Sequence, residues 1–232
     1  MTRAESIAAG LADVRARIAA AERAAGRAPG SVRLLAVSKK MPPEDVRATI
    51  AAGQHAFGEN YAQELRDKRA ALAGDPAPPE WHYIGPLQGN KVKYVAGQVA
   101  LVHTVDSIAL LEAIAARGAP QECLVQVNVA GEAQKRGVAP TDLPALLDRF
   151  ASLANVTCAG LMLIPPLTDD PDDARPHFAA LRMLRDREAV HTRPNVDLRE
   201  LSMGMSGDLE AAVAEGATIV RVGTAIFGAR RQ

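Results

Sequence analysis

The sequence predicts an α/β protein that folds as a single (β/α)8 TIM barrel with an extra N-terminal helix. Eight short apolar runs alternate with segments of helical periodicity, and 232 residues, 48% of them hydrophobic, suffice for one such domain. Continuous apolar strands followed by amphipathic helices indicate a parallel sheet, because both faces of each strand must be covered. The alternative is an open, doubly wound sheet, but its usual glycine-rich first turn is unlike residues 38–42.

The elements can be placed in order along the chain. A leading helix is predicted over residues 3–25, and we expect the segment 1–27 to pack on the barrel within a single domain, 1–232. Its apolar residues recur at three- and four-residue spacing, at Ile7, Leu11, Val14 and Ile18. The predicted strands are 32–39, 55–60, 81–85, 100–106, 122–129, 156–164, 198–204 and 218–228. Further helices are expected over 44–52, 107–117, 143–153, 175–188 and 208–214, two of them after the start signals Thr141-Asp142 and Pro171-Asp172.

Charge and composition exclude several classes of function. Lysine plus arginine and aspartate plus glutamate both total 27, so the formal net charge is zero, which argues against nucleic acid and anionic membranes as partners. The sequence shows neither a signal-peptide core nor the roughly 18 apolar residues of a membrane span, so we expect a cytoplasmic protein. Cys123 and Cys158 lie in separate apolar runs, which favours buried free thiols over a disulfide. The histidines lack metal-ligand spacing, and no metal is expected.

Lys39 is the first candidate for chemistry, because it stands at the carboxyl end of the first predicted strand. An amine at the mouth of an apolar interior is desolvated, which favours the neutral form that condenses with an aldehyde or ketone. A Schiff base is therefore the chemistry that this position suggests. The alternative is that Lys39 and its neighbour Lys40 are simply a solvated strand end.

Two turns late in the sequence are candidates for a phosphate site, which barrels often carry after strands 7 and 8. We expect Ser206 to occupy the N-cap of a helix that begins at about Gly207, with its hydroxyl and the first N–H groups able to receive an anion. After strand 8, Gly223 allows close approach of the backbone and Thr224 adds a hydroxyl donor. Taken singly, Ser206 is equally explained as a helix cap and Gly223 as a tight turn.

Arg221 is a guanidinium within an otherwise apolar, β-branched strand, so we expect it to be buried with a partner. One candidate partner is a carboxylate inside the barrel, for example Glu59, in a structural salt bridge. The other is the ring nitrogen of a cofactor, which a permanent cation would keep unprotonated.

Taken together, these motifs resemble a known family. The strings LLAVSKKMPPEDV, GQHAFGENYAQE, WHYIGPLQGNKVK and LSMGMSGDLEAAVAEGATIVRVGTAIFGAR are similar in order and spacing to the YggS/PROSC family of pyridoxal phosphate homeostasis proteins, from about residue 5 to Arg230. The resemblance implies the barrel of the alanine racemase N-terminal domain, which is fold type III among proteins that bind pyridoxal 5'-phosphate (PLP).

The resemblance also implies which residues bind PLP. Lys39 would hold the cofactor as a Schiff base, and no residue is expected to be catalytic. The other implied contacts are Asn60, His82, Ser206, Arg221, Gly223 and Thr224. Among them Ser206, Gly223 and Thr224 would contact the phosphate, and Arg221 would lie beside the pyridine nitrogen. For His82, a hydrogen-bonded core histidine is an equal alternative to ligand contact.

The function that the resemblance implies is control of the intracellular PLP pool, and indirectly of amino- and keto-acid balance, rather than catalysis. The sequence stops at Gln232, so we expect no second domain of the kind that closes racemase sites. None of the three tyrosines, Tyr61, Tyr83 and Tyr94, lies in a motif that suggests the racemase base.

Two alternatives stay open. One is a racemase-type PLP enzyme, acting on a small amino acid, whose missing residues come from a partner chain. The other is a class I aldolase-like barrel whose lysine forms a Schiff base with a sugar phosphate. Besides PLP, the expected partners are other B6 vitamers and, transiently, PLP-dependent apo-enzymes. No nucleic acid or membrane partner is expected, and we expect a monomer.

Overall fold

The protein folds into a closed barrel of eight parallel strands, ordered β1 to β8 around the barrel, with β8 paired to β1. The computed structural model describes residues 1–132, 134–166, 168 and 170–228, so Arg230, where the family resemblance ends, lies outside the described residues. The strands are β1 Arg33–Val37, β2 Ala56–Glu59, β3 Glu80–Tyr83, β4 Leu101–Val105, β5 Gln121–Gln126, β6 Val156–Met162, β7 Val196–Ser202 and β8 Ile219–Val222. The predicted (β/α)8 barrel is confirmed.

Helices follow the strands and cover the outside of the barrel. They are α1 Arg3–Ala24, α2 Pro43–Ala51, α3 Ala62–Leu72, α4 Ile108–Ala115, α5 Leu143–Ala151, α6 Arg175–Ala189, α7 Leu209–Ala214 and α8 Thr224–Phe227, with 3₁₀ helices at Gly89–Tyr94 and Pro171–Ala174. None of the helices among the described residues is long and apolar enough to cross a membrane.

The leading helix α1 begins with a capping box, in which the Thr2 side chain accepts from the Glu5 backbone N–H and the Glu5 carboxylate accepts from the Thr2 N–H. Its buried stripe consists of Ile7, Leu11, Val14, Ile18, Ala21 and Glu22. Gly10 packs directly against α8, because a Cβ at this position would lie 2.6 Å from the carbonyl oxygen of Ala225. The helix therefore contacts the segment in which the last strand ends.

Strand β8 is shorter than predicted, and this is a correction to the sequence analysis. The predicted strand ran to Gly228, whereas the observed strand ends at Val222 and residues Thr224–Phe227 form one helical turn. Ile226 and Phe227 are buried in that turn. An apolar run that packs under a helix looks the same in sequence as a strand, since periodicity does not separate short buried elements.

The interior of the barrel combines apolar and polar side chains. An apolar cluster separate from the main core is formed by Leu35, Ile84, Leu101, Leu124, Ala159, Met162 and Ile219. Buried polar side chains also occupy the strands, among them Glu59 on β2, His82 on β3, His103 on β4 and Arg221 on β8. Because buried polar groups need partners, these side chains form hydrogen bonds with neighbouring side chains.

Candidate functional site

A cavity of about 260 Å³ lies where the chain leaves the carboxyl ends of several strands. Six of the seven residues predicted from the sequence line it, namely Lys39, Asn60, Ser206, Arg221, Gly223 and Thr224. Apolar side chains complete the wall, among them Val37, Met41, Ile84, Ile164, Met205 and Phe227. The first and last strands are neighbours in the barrel, so residues from both ends of the sequence meet in this one cavity.

Lys39 lies two residues beyond the end of β1 and is half-buried at the cavity wall. Lys40 differs from it in conformation and exposure, because its φ of 64° lies in the left-handed region and its side chain is exposed. The turn is closed by a hydrogen bond from the Met41 N–H to the Ser38 carbonyl oxygen. Of the two adjacent lysines, Lys39 is thus the one that lines the cavity.

The turn that carries Lys39 is held by a buried ionic cluster that sequence reasoning missed. The Lys68 ammonium donates to the Ser38 carbonyl oxygen at 2.6 Å and to Glu59 Oε1 and Glu64 Oε1 at 2.7 Å each. The Ser38 hydroxyl donates to Glu59 Oε1 at 2.6 Å, and the Lys40 N–H donates to Glu64 Oε1 at 2.5 Å. Burial raises the pKa of Glu59, while the Lys68 ammonium acts in the opposite direction. These contacts fix the backbone on either side of Lys39.

Arg221 is buried, at 4% exposure, and reaches the cavity from β8. Its Nη1 donates to Ser202 Oγ at 2.7 Å and its Nη2 to the Leu163 carbonyl oxygen at 2.9 Å. The alternative of a salt bridge with Glu59 is wrong, because the carboxylate of Glu59 is engaged by Lys68 and Ser38 instead. Burial lowers the pKa of Arg221 to about 10, so the group is still a cation at neutral pH.

The two predicted phosphate turns lie side by side, but Ser206 is not a helix cap. Helix α7 begins at Leu209 with Asp208 as its N-cap residue, and Asp208 Oδ1 accepts from the Met205 N–H at 2.5 Å. The Ser206 hydroxyl instead accepts from the Ala225 N–H at 3.5 Å, which joins the turn after β7 to the turn after β8. The prediction failed because Asp208 folds back to cap the turn that precedes the helix.

Gly223 stands at a close approach of the turn after β8 to the end of β1. Its φ of −118° is open to any residue, but a Cβ would lie 3.2 Å from the Val37 carbonyl oxygen and 3.4 Å from the Val37 Cβ. The absence of a side chain therefore lets the turn after β8 lie against the end of β1. Thr224, which follows it, is exposed at the cavity wall.

Asn60 follows β2 and brings an unused hydrogen-bond acceptor to the cavity. Its Oδ1 is buried without a partner, whereas its backbone carbonyl oxygen accepts from the Tyr83 hydroxyl at 3.0 Å. Gly85 packs against the same backbone, since a Cβ there would overlap the Asn60 carbonyl group. A buried polar atom without a partner is costly, and a bound ligand could satisfy it.

His82 is the predicted residue that the structure places elsewhere. It is 1% exposed and does not line the cavity; its Nδ1 lies 2.9 Å from His103 Nε2 and its Nε2 lies 2.7 Å from Glu80 Oε1. Its geometry is that of a hydrogen-bonded core histidine, the alternative considered from the sequence. The motif in which His82 stands could not show that its side chain contacts His103 and Glu80 rather than the cavity.

The cavity has the polar groups that an aldehyde-bearing phosphate ester requires. It combines an amine at Lys39, a cation at Arg221, hydroxyl groups at Ser206 and Thr224, and the unsatisfied Asn60 Oδ1. These residues fit PLP, whose aldehyde, phosphate and ring nitrogen could each meet one of these groups. No group of three or more histidine, cysteine, aspartate or glutamate side chains that could hold a metal ion occurs among the described residues.

Comparisons with known proteins place the chain in a family. The family described as "Alanine racemase, N-terminal domain" matches residues 11–231. Proteins named pyridoxal phosphate homeostasis protein from Aquifex aeolicus and Pseudomonas aeruginosa are 45% and 47% identical over 225 and 230 residues, covering 95% and 97% of this chain and 97% and 96% of their own. PipY of Synechococcus elongatus PCC7942, solved with PLP bound, has a TM-score of 0.82 and 39% identity, with 96% of this chain and 100% of PipY covered. The chain therefore belongs to the family of pyridoxal phosphate homeostasis proteins, which share the fold of the alanine racemase N-terminal domain.

Proposed function

We propose that this protein binds PLP as a Schiff base on Lys39 and acts in PLP homeostasis by holding and releasing the cofactor, without catalysing a reaction. The observation that carries the proposal is the meeting of Lys39, Arg221 and the Ser206 and Gly223 turns in one cavity. The two relatives named pyridoxal phosphate homeostasis protein and the PLP-bound structure of PipY support it.

Each group in the cavity has a part in holding the cofactor. PLP supplies an aldehyde and an electron-accepting ring when bound. The Lys39 amine would hold PLP through its aldehyde in a C=N linkage, whose formation releases the carbonyl oxygen and the two amine hydrogens as water and which water can reverse. Ser206, Gly223 and Thr224 would receive the phosphate. Arg221 carries only donors, so it would keep the ring nitrogen unprotonated, which weakens the ring as an electron sink.

The side chains around the cavity favour a holding role over catalysis. Among the described residues that line it, the titratable ones are Lys39 and Arg221. Proton transfer at an amino-acid α-carbon needs a base with a pKa near neutral pH, and a second group for the opposite face in a racemase. Tyr83 does not fit that role, because its hydroxyl donates to the Asn60 and Pro86 carbonyl oxygens and burial raises its pKa to about 12.

The cellular role that follows is to keep a reactive aldehyde in a reversible covalent form. A free aldehyde condenses with any accessible amine, so a protein that binds it limits damage and maintains a supply. We propose that the protein acts as a monomer in the cytoplasm, that it accepts other B6 vitamers, and that PLP-dependent apo-enzymes receive the cofactor from it.

The test is the absorbance spectrum of the purified protein mixed with PLP, before and after reduction with borohydride. The expected result is an imine band that borohydride removes, with the pyridoxyl label on the peptide that contains Lys39. Lys39→Ala should abolish both the band and the label. The matched control is Lys40→Ala, which should retain both because Lys40 is exposed and absent from the cavity wall. Labelling of Lys40 in the unaltered protein would overturn the assignment of the Schiff base.

The absence of catalysis needs its own measurement. Alanine, serine and other small amino acids would be incubated with the PLP-loaded protein and analysed by chiral chromatography, and a keto-sugar phosphate would be tested with borohydride in the absence of PLP. We expect no turnover above that of free PLP and no trapping of the sugar. Turnover that disappears in Lys39→Ala would contradict the holding role while leaving PLP binding intact.

A further inference from the structure

A continuous chain of hydrogen bonds crosses the barrel interior from Arg221 to Glu80. Arg221 Nη1 lies 2.7 Å from Ser202 Oγ, and Ser202 Oγ lies 2.8 Å from His103 Nδ1. His103 Nε2 lies 2.9 Å from His82 Nδ1, and His82 Nε2 lies 2.7 Å from Glu80 Oε1. Arg221 lines the cavity, whereas Glu80 is the first residue of β3, at the opposite end of the barrel. The chain thus joins the two faces of the barrel.

The groups at its two ends set the direction of the chain. A guanidinium can only donate and an ionised carboxylate can only accept. Ser202 Oγ must therefore accept from Arg221, which leaves its own proton to donate to His103 Nδ1. His103 then carries its proton on Nε2 and donates to His82 Nδ1, and His82 donates from Nε2 to Glu80. Every donor meets an acceptor only when both histidines are neutral and protonated on Nε2.

The surroundings of the two histidines favour this neutral state. His103 is fully buried, and its pKa is lowered well below the usual value by burial and by the charges of His82, Arg221 and Arg33. Burial also lowers the pKa of His82, partly opposed by its hydrogen bond with Glu80 and by the charges of Glu80 and Glu200, while Arg33 acts in the same direction as burial. If His82 took a second proton, its Nδ1–H would face the Nε2–H of His103. His103 would then have to carry its proton on Nδ1 and donate to Ser202 Oγ, which would leave the Ser202 hydroxyl proton without an acceptor among these residues.

We propose that Ser202, His103, His82 and Glu80 are positioning residues that hold the Arg221 guanidinium towards the cofactor ring, so that a carboxylate at the far end of the barrel affects cofactor binding. The proposal rests on the proposed function, in which PLP occupies the cavity. Ser202 is the residue that contacts Arg221 directly, and the two histidines orient its hydroxyl. Glu80 fixes the tautomers of both histidines from the opposite end of the barrel.

The first test uses the protein without PLP, so its result does not depend on the proposed function. Long-range ¹H–¹⁵N correlation spectra of the histidine rings distinguish the two neutral tautomers. We expect His82 and His103 to be neutral and protonated on Nε2 at neutral pH, and we expect Glu80→Ala to populate the Nδ1–H tautomer of His82. A cationic ring, or an Nδ1–H tautomer in the unaltered protein, would refute the proposed donor-to-acceptor direction of the hydrogen bonds from Arg221 to Glu80.

The second test measures whether a change at Glu80, the end of the hydrogen-bond chain farthest from the cavity, alters PLP binding in the cavity. Glu80 and Glu122 begin or nearly begin β3 and β5, their side chains are equally exposed at 46%, and each pairs with an arginine. Only Glu80 bonds to His82. We expect Glu80→Ala to weaken PLP binding roughly three- to tenfold in a fluorescence titration, because the charge-assisted hydrogen bond between Arg221 and Ser202 would be less well oriented. The imine absorbance band should also shift. Glu122→Ala should change neither. Equal effects of the two variants, or no effect of Glu80→Ala, would sink the proposal.

A third variant separates positioning from a general loss of stability. Ser202→Ala removes an acceptor of Arg221, and we expect it to weaken PLP binding at least as much as Glu80→Ala and to move the absorbance band in the same direction. Ser202→Thr retains the hydroxyl and should leave the band at its position in the unaltered protein. If both variants shift the band equally while circular dichroism shows a folded barrel, the hydroxyl does not position Arg221. If the unaltered protein forms no imine, the proposed function fails. The histidine spectra would still test the direction of the hydrogen bonds between Arg221 and Glu80.

Discussion

Replacing Lys68 with methionine should destabilise the protein by about 3–5 kcal/mol at neutral to alkaline pH, because it removes one partner of a buried ion pair. The Lys68 ammonium makes three hydrogen bonds of 2.6–2.7 Å, and its side chain is 5% exposed. Methionine fills a similar volume, so the loss comes from charge rather than from a cavity. The carboxylate of Glu59, which is fully buried, would remain without its cation.

The loss should depend on pH in a direction that the structure defines. Burial already raises the pKa of Glu59, and the two effects of Lys68, its charge and its hydrogen bond, lower it. Without Lys68 the pKa of Glu59 in the folded state rises further. A carboxyl group whose pKa is raised in the folded state binds its proton more tightly when the protein is folded. The free energy of unfolding is therefore greatest at low pH, and it falls as the pH rises from the pKa of the unfolded state through the pKa of the folded state. Lys68→Met should therefore cost less at acid pH than at alkaline pH.

The assay is urea unfolding followed by circular dichroism at about pH 5.5 and about pH 8, which compares a more acid with a more alkaline condition. Glu59→Gln in the Lys68→Met background should recover part of the loss at the higher pH, since it removes the uncompensated charge. The control is Lys93→Met, an exposed lysine whose replacement should change stability by less than about 0.5 kcal/mol. A loss below about 1 kcal/mol, or an equal loss at both pH values, would refute the reasoning.

Three further outcomes are expected. Gly223→Ala should weaken PLP binding several-fold in a fluorescence titration, because its Cβ would lie 3.2 Å from the Val37 carbonyl oxygen; unchanged affinity would show that the turn can move away. Gly160→Ala should lower the thermal midpoint by several degrees or prevent folding, since φ is +155° and the Cβ would overlap a carbonyl group of β7; an unaltered midpoint would contradict this packing. Cys123 and Cys158 should react with a thiol reagent at least about a hundredfold more slowly in the folded protein than in guanidinium, because both are buried and burial raises the pKa of each thiol; comparable rates would show that the barrel opens readily.

The strands of the barrel could be predicted because a parallel strand is apolar on both faces, and such runs stand out between amphipathic helices. The same rule misassigned the last turn. Within Thr224–Phe227 the apolar residues Ala225 and Ile226 lie against Gly10 of α1, and the helical conformation begins only after Gly223. The boundary of an apolar segment was therefore visible in the sequence, but its backbone conformation was decided by its neighbours.

The cavity could be anticipated only in part. Lys39 and Arg221 were recognisable because a charge in or after an apolar strand must meet a partner. The residues that support them were not. Lys68 has the appearance of an ordinary surface lysine in an amphipathic segment, and its burial depends on the packing of α3 against the end of β1. His103 and Ser202 stand 99 residues apart, and only the closed barrel brings them within 2.8 Å.

The pairing of β8 with β1 has a consequence for biosynthesis. Leu35 is paired with Arg221, and Ala36 with Val222, so the cavity is assembled from segments almost two hundred residues apart. A nascent chain that has formed only the first seven strands contains Lys39 but lacks Arg221, Gly223 and Thr224, and closing so long a loop is slow relative to local contacts. The protein should therefore bind the cofactor only after β8 has paired with β1. The rate at which the imine band appears during refolding would measure the rate of that pairing.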